Sequence, residues 1–388
     1  MRKVAIIGLG RTVVGEHWDQ SLRMLASEAA QEAFDDAGVH QVEALYVGNA
    51  YSSTISSQSQ LGALIADYTG LGNIEAYTVE AGDASGGAAL RTGYLAVAAG
   101  AAETVMVLGV EKATDTVGSA RVRARNISLD ADFEAAHGGT MSAMAALLMR
   151  RYMHEYNVDL SAFEGFSINA HANSASNGYA MYRNTLRPGS FSKAPMIADP
   201  VNLFDSAPDA DGAAAIILTT ADRATDLVPK PIIISGSAAA TDTMTLQDRP
   251  NILHLEAAGK SSLQAMSQAK VSLNDIDLFE LHDAFTILSV LTLEATGFAD
   301  PGKGWQLAED NGAALTLSGR VPISTFGGLK GRGNPAGATG IYQAVEACLQ
   351  LRHEAGENQV ADAKTALIQN LGGLGSTAIT HVLGIERQ

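Results

Sequence analysis

The chain has 388 residues, 46% of them apolar and 18% charged, with a formal net charge of −16 and a single cysteine. That length suggests one large domain or two to three smaller ones, and the composition is that of a globular chain with a sizeable core. The acidic balance excludes a broad nucleic-acid surface, and one cysteine excludes both an internal disulfide and a cysteine-based metal site. The apolar stretches are short and broken by glycine, so none reads as a membrane span. No basic-then-apolar leader precedes the first strand, so a cytoplasmic protein is expected.

In chain order, KVAIIGLG (3–10) reads as a buried strand and SLRMLASEAAQEAFDDAG (21–38) as a helix closed by a glycine cap. ALYVGNA (44–50) reads as a strand, SQLGALIADYTG (59–70) as a helix and EAYTVE (75–80) as a strand. The small-residue helix SGGAALRTGYLAVAAGA (85–101) and the strand ETVMVLGVE (103–111) complete this block. Such alternation predicts helices layered over a parallel or mixed sheet. From about 115 to 205 the chain is richer in Ser, Asn, Tyr and Arg, with one clear helix, GTMSAMAALLMRRYMHEYN (139–157), between irregular segments. It reads as an excursion inserted into the α/β domain. Regular structure resumes with GAAAIILTT (212–220) and PIIISGSAAA (231–240), and a second alternating block begins near Ile252.

The two blocks share a local pattern. DASGGAAL opens at Asp83 and NPAGATGI at Asn334; each has a short polar residue first, glycine fourth, and then a small-residue helix leading to a strand. This reads as a faint internal duplication that would bring two helix N-termini, with their exposed N–H groups and positive dipole ends, towards one centre. Such a centre suits an anionic oxygen or a phosphate. Four glycine-flanked polar segments lie at element junctions, where side chains point into a cleft: GDASGG at Asp83, ELHDAF at His282, GGLKGRGNPAGATG at Asn334 and QNLGGLGST at Asn370.

With ELHDAF, GGLKGRGNPAGATG, MIADPVNLFDSAPDADGAAAIIL and the VEA and ASGGAAL pieces in order, the whole chain resembles the thiolase superfamily, in its archaeal acetyl-CoA acetyltransferase and sterol-carrier-protein-X branch. The resemblance implies an α/β thiolase fold: five αβαβα layers from two similar halves plus an inserted loop domain. On that division, residues 1–115 and 206–250 form one half, 116–205 the loop domain over the acyl and CoA pocket, and 251–388 the other half. It further implies CoA thioesters as ligands, no permanently bound cofactor, a homodimer and, for this branch, a small OB-fold zinc-ribbon partner.

The catalytic pattern departs from that family. Where the resemblance calls for a nucleophilic cysteine before A-S-G, Asp83 stands; where it calls for the histidine of G-H-P, the triplet is Gly333-Asn334-Pro335. The HDAF histidine is kept as His282, with an implied oxyanion role, and Asn370 stands before the G-G pair, Gly372-Gly373, where the larger family has its acid/base cysteine. A carboxylate is a weak nucleophile, and a mixed anhydride would hydrolyse, so an acyl-cysteine type of reaction is not expected. Asp83, His282 and the Asn334 amide are instead expected to hold an enolate-like oxygen and move a proton, as a retro-aldol reaction beside a thioester requires. Cysteine-less relatives that act as aldolases use tyrosines as acid/base, and Tyr342 is a weak candidate whose alternative is a core position. The other reading is a non-catalytic subunit that binds thioesters and scaffolds a partner.

Remaining residues divide between function and structure. Arg121, Arg123, Arg125, Arg150, Arg151, Arg183, Arg187 and Lys193 put positive charge into the excursion, where Arg187 and Lys193 are expected, with Gly333 and Gly372, to contact the CoA ligand. The alternative is a solvated face of ion pairs. His137 is either an acyl-pocket residue or a surface one, Asp83 also reads as a plain helix cap, and Cys348 reads as a buried small hydrophobe. GLGR (8–11) lacks the full dinucleotide fingerprint, and the histidines show no ligand-like spacing, so neither a dinucleotide nor a metal is expected.

Overall fold

The computed structural model describes residues 1–385. Nine strands form one mixed sheet: β1 (Val4–Arg11), β2 (Ala44–Gly48), β3 (Glu75–Val79), β4 (Thr104–Lys112), β5 (Asp211–Thr220), β6 (Ile232–Thr241), β7 (Leu278–Glu280), β8 (Thr365–Gly372) and β9 (Thr377–Gly384). Their spatial order is β3-β2-β4-β5-β1-β6-β9-β8-β7. Strands β2, β3 and β4 run parallel, as do β7 and β8, so the carboxyl ends of each set lie together. The two sets meet where β1 pairs with β6 over only three residues, Val4 to Ile6.

Ten helices concern the site and its supports: α1 (Leu22–Ala37), α2 (Leu61–Tyr68), α3 (Ser85–Ala99), α4 (Gly118–Arg125), α5 (Met141–Tyr156), α6 (Glu164–Ala175), α7 (Ala221–Leu227), α8 (Glu256–Ala269), α9 (Thr286–Ala295) and α10 (Thr339–Arg352). Strand alternation sorts the apolar side chains into layers. On β1, Ala5 and Ile7 pack with α1, while Val4 and Ile6 point the other way, into a layer shared with α3 and α10. Strand β8 repeats this: Ala366 and Ile368 enter the same middle layer, and Leu367 and Leu371 face α8 and α9. Helices α3 and α10 are therefore sandwiched between the two strand sets, with α1, α2 and α7 outside one and α8 and α9 outside the other. The expected five layers are present.

The middle helices approach closely because their contact residues are glycines. A Cβ on Gly86 would lie 2.8 Å from the Gly337 carbonyl oxygen, and one on Gly340 would lie 2.2 Å from the Gly87 nitrogen. Gly86 and Gly337 are the fourth-position glycines of the two related motifs, so the internal duplication read from the sequence is a physical contact between its copies. The GLGR glycines have a packing role too, since a Cβ on Gly10 would lie 2.0 Å from the Ala29 carbonyl oxygen of α1. Among the described residues no helix is long and apolar enough to cross a membrane, and no group of three His, Cys, Asp or Glu side chains is placed to hold a metal ion.

Candidate active site

Both copies of the motif deliver their polar residue by the same backbone device. Gly82 (φ 59°) precedes Asp83 and Gly333 (φ 108°) precedes Asn334, each in the left-handed region that glycine enters at little cost. Asp83 is 1% exposed, and its Oδ1 accepts a 2.6 Å hydrogen bond from the Tyr51 hydroxyl. Helix α3 begins at Ser85 after Ala84, which provides no side-chain cap. The capping role weighed for Asp83 is not what its carboxylate does here; it is bound to a phenol.

Tyr51 comes from the turn after β2, fully enclosed beside Asp83 and Arg125. Burial first, and then the Asp83 charge, hold its hydroxyl well above the usual phenol range, so it is a hydrogen-bond donor at neutral pH. Arg125, at the end of α4, pairs with Asp209 at 2.8 Å. Asp209 in turn bridges to Asn334, whose N–H donates to the Pro208 carbonyl and whose own carbonyl accepts from Ala210. Asp83 and Asn334 are thereby linked through Tyr51, Arg125 and Asp209.

Glu111, at the end of β4, clamps the same region. Its buried carboxylate accepts from the Asn49 amide (2.9 Å) and from the backbone N–H groups of Ala50 (2.8 Å), Tyr51 (3.2 Å) and Gly337 (3.1 Å). Burial outweighs these donors and pushes its carboxyl up to about 8. The turn bearing Tyr51 and the helical segment after Asn334 thus share one anchor.

His282 follows β7 and is fully buried. Its Nδ1 lies 3.1 Å from the Asn370 side-chain nitrogen, while the Asn370 oxygen accepts from the Gly87 N–H at 3.1 Å. Because the Gly87 N–H can only donate, the Asn370 orientation is fixed and its NH₂ faces His282. Nδ1 therefore accepts and Nε2 carries the proton. That Nε2–H is buried without a protein partner, and burial lowers the imidazole's pKa, keeping it neutral. Asn334 Oδ1 is occupied by the Ala336 N–H (3.0 Å) and the Thr339 hydroxyl (3.1 Å), so its remaining offer to a ligand is its NH₂. The site presents neutral donors from His282 and Asn334, and a carboxylate with a phenol from Asp83 and Tyr51. That combination can stabilise a developing oxyanion and relay a proton.

A cavity of about 860 Å³ opens beside this network, lined mostly by the excursion that the sequence marked at 115–205, with Glu16, the segment 206–209 and Lys330 completing its wall. Its wall joins apolar groups such as Met141, Met181, Leu186 and Phe204 to Arg121, Arg125, Asp209, His171 and Lys330. Arg125 and Asp209 connect it to the Asp83 network, while Asp83, His282 and Asn334 are not among its wall residues.

The other expected residues fall in several places. Gly333 is buried, with no room for a Cβ beside Val14 (2.7 Å); at Gly372 a Cβ would lie 2.5 Å from the Ala81 carbonyl oxygen, next to the Asp83 turn. Arg187 and Lys193 are exposed and outside the cavity wall, though neighbouring Leu186 lines it. The basic cluster divides: Arg121 and Arg125 line the cavity, whereas Arg150 and Arg151 make exposed pairs with Asp199 and Glu155. His137 is exposed and not on the wall. Tyr342 is a core residue of α10, its hydroxyl donating to the Thr12 carbonyl at 3.0 Å. Cys348 is buried on the same helix, and burial pushes its thiol up to about 12.

Sequence reading passed over Tyr51, Glu111, His171 and Lys330. Tyr51 and Glu111 each sit at or just past the end of a predicted strand, which was a usable signal. Lys330 lay inside GGLKGRG, within one of the four glycine-flanked segments, without being singled out. His171 carried no signal in its neighbourhood.

Residues 4–193 match the family described as "Thiolase, N-terminal domain", and residues 238–385 the one described as "Thiolase C-terminal domain-like". The chain is 40% identical to an acetyl-CoA acetyltransferase of Methanothermobacter thermautotrophicus, over 98% of this chain and 99% of that protein. It is 28% identical to the 17-hydroxy-3-oxo-4-pregnene-20-carboxyl-CoA lyase of Mycobacterium tuberculosis, over 94% of this chain and 95% of that protein. The solved structure of an "Ltp2-ChsH2(DUF35) aldolase" superposes with a TM-score of 0.86 at 27% identity, covering 100% of this chain and 98% of that one.

Proposed function

Because this chain belongs to the thiolase family, we propose that it binds a CoA thioester and makes or breaks a carbon–carbon bond beside it without an acyl-cysteine intermediate. The observation carrying this reading is the tautomer of His282, whose buried Nε2–H has no protein partner. In the cleaving direction, a base removes the proton from a hydroxyl on the carbon β to the thioester. The Cα–Cβ bond breaks, a carbonyl compound leaves, and the electron pair moves through Cα to the thioester oxygen as an enolate. His282 Nε2–H and the Asn334 NH₂ hold that oxygen. Asp83 accepts the proton through Tyr51, and the enolate is then reprotonated at Cα. Arg125 and Asp209 on the cavity wall tie the binding space to that proton relay.

A second reading has support in the enclosure of Asp83, which is 1% exposed and off the cavity wall. On it the chain is a non-catalytic thioester-binding subunit. Under either reading we propose a cytoplasmic homodimer with a small OB-fold zinc-ribbon partner. The edge strand β3, with Tyr77 exposed on it, suits pairing with a second copy. The solved aldolase carries a DUF35 component in its name, which agrees with a small partner.

The deciding experiment assays thiolysis and condensation of acetoacetyl-CoA and acetyl-CoA, and cleavage of 3-hydroxyacyl-CoA, by wild type and by the Asp83→Cys/Asn334→His variant. Wild type inactive in thiolysis but active in cleavage supports the proposal. Thiolysis by wild type overturns it, and wild type that binds thioesters but turns over none selects the subunit reading.

A further inference from the structure

We propose that Lys330 and His171, both on the wall of the 860 Å³ cavity, form a recognition site for a hydroxyl group on the acyl part of the ligand. This rests on the thioester-binding reading above and adds the class of acyl group.

Lys330 lies in the short helical turn Gly328–Gly331, and only 2% of it is exposed. Its Nζ donates to the Asp283 carbonyl at 2.7 Å, and an ammonium has three N–H donors. A buried ammonium is costly, and an alkyl-binding pocket has no use for one on its wall. His171, on α6, is held edge-on to Phe204 at 5.9 Å and stacked with Tyr182 at 6.3 Å. Its Nδ1 lies 3.3 Å from the Asn184 carbonyl oxygen. A carbonyl only accepts, so Nδ1 carries the proton and Nε2 presents a lone pair. One wall thus offers a donor from Lys330 and an acceptor from His171.

A hydroxyl is the group that can accept from an ammonium and also donate to an imidazole lone pair, and the Lys330 charge is near enough to act on His171. A ketone satisfies only the lysine, and an alkyl chain neither. A carboxylate is opposed, because Asp205 and Asp283 already surround Lys330 with negative charge.

Calorimetric titration of the full-length protein with CoA, butyryl-CoA, 3- and 4-hydroxybutyryl-CoA and succinyl-CoA tests this. At least one hydroxyacyl thioester is expected to bind about tenfold or more tightly than butyryl-CoA, since an unmatched buried polar pair costs at least that much. Lys330→Met and His171→Phe are each expected to abolish that preference while CoA and butyryl-CoA bind as before. Equal binding of hydroxyacyl and butyryl thioesters by wild type overturns the assignment, with no variant needed. So does an equal weakening of every thioester in both variants, which would mark the pair as structural. Failure of CoA and all its thioesters to bind overturns the underlying reading instead, and the assignment with it.

Discussion

The hydroxyl of Tyr51 and the carboxylate of Asp83 meet at 2.6 Å inside a site that admits almost no solvent, with Arg125 beside both. The contact joins the turn after β2 to the turn before α3. It sets the character of Asp83, whose carboxylate is held by a donor that can also carry a proton.

Tyr51→Phe removes that donor and leaves the ring. Turnover on a hydroxyacyl-CoA is expected to fall by about 10²-fold or more, as loss of a proton-relay group does, while calorimetry reports unchanged CoA affinity. Unfolding in urea is expected to show a loss of about 1.5–3 kcal/mol, the usual worth of a hydrogen bond to a charged group. Full activity in this variant would remove Tyr51 from the chemistry.

Two buried carboxyls set a pH dependence of stability. Glu111 and Glu280 are raised from 4.5 to about 8, by burial in both cases. A folded state that keeps protons which the unfolded chain releases is favoured at low pH. Their contribution is therefore complete below about 4.5 and is lost as pH rises towards about 8. Melting curves taken across that range should show stability declining, and Glu111→Gln should decline less steeply. This variant should also be weaker by about 1–3 kcal/mol at the low-pH end, where its amide NH₂ opposes backbone donors.

Gly340→Ala places a methyl 2.2 Å from the Gly87 nitrogen and 2.4 Å from the Asn370 side-chain oxygen. Overpacking of this kind costs about 1–3 kcal/mol. Because Asn370 orients His282, activity should fall together with melting temperature. An alanine here that leaves both unchanged would contradict the close crossing of α3 and α10.

Cys348 should resist thiol reagents in the native protein at pH 8, where its raised pKa leaves almost no thiolate and its burial excludes the reagent. One equivalent should react on unfolding in guanidinium.

The alternation of short buried strands with glycine-capped helices was legible because periodicity and glycine placement are local properties. The same holds for the inserted excursion and for the duplicated motif opening at Asp83 and Asn334, which sequence comparison within one chain can find. His282 stood out in the sequence by its motif, ELHDAF. By itself, then, the sequence determined the layered α/β class, the two related halves and the motifs that set Asp83 and Asn334 at two related helix starts. Only the tertiary structure decided that Asp83 binds Tyr51 instead of capping α3, that Tyr342 belongs to the core, and that Arg125 reaches the cavity while Arg187 and Lys193 face solvent. It also decided the tautomers of His282 and His171, fixed by Asn370 and by the Asn184 carbonyl. These are questions of which donor meets which acceptor across the chain. Asn370 lies 88 positions from His282, and Tyr51 lies 32 from Asp83. No local pattern encodes such pairings, because strand order and helix crossing create them.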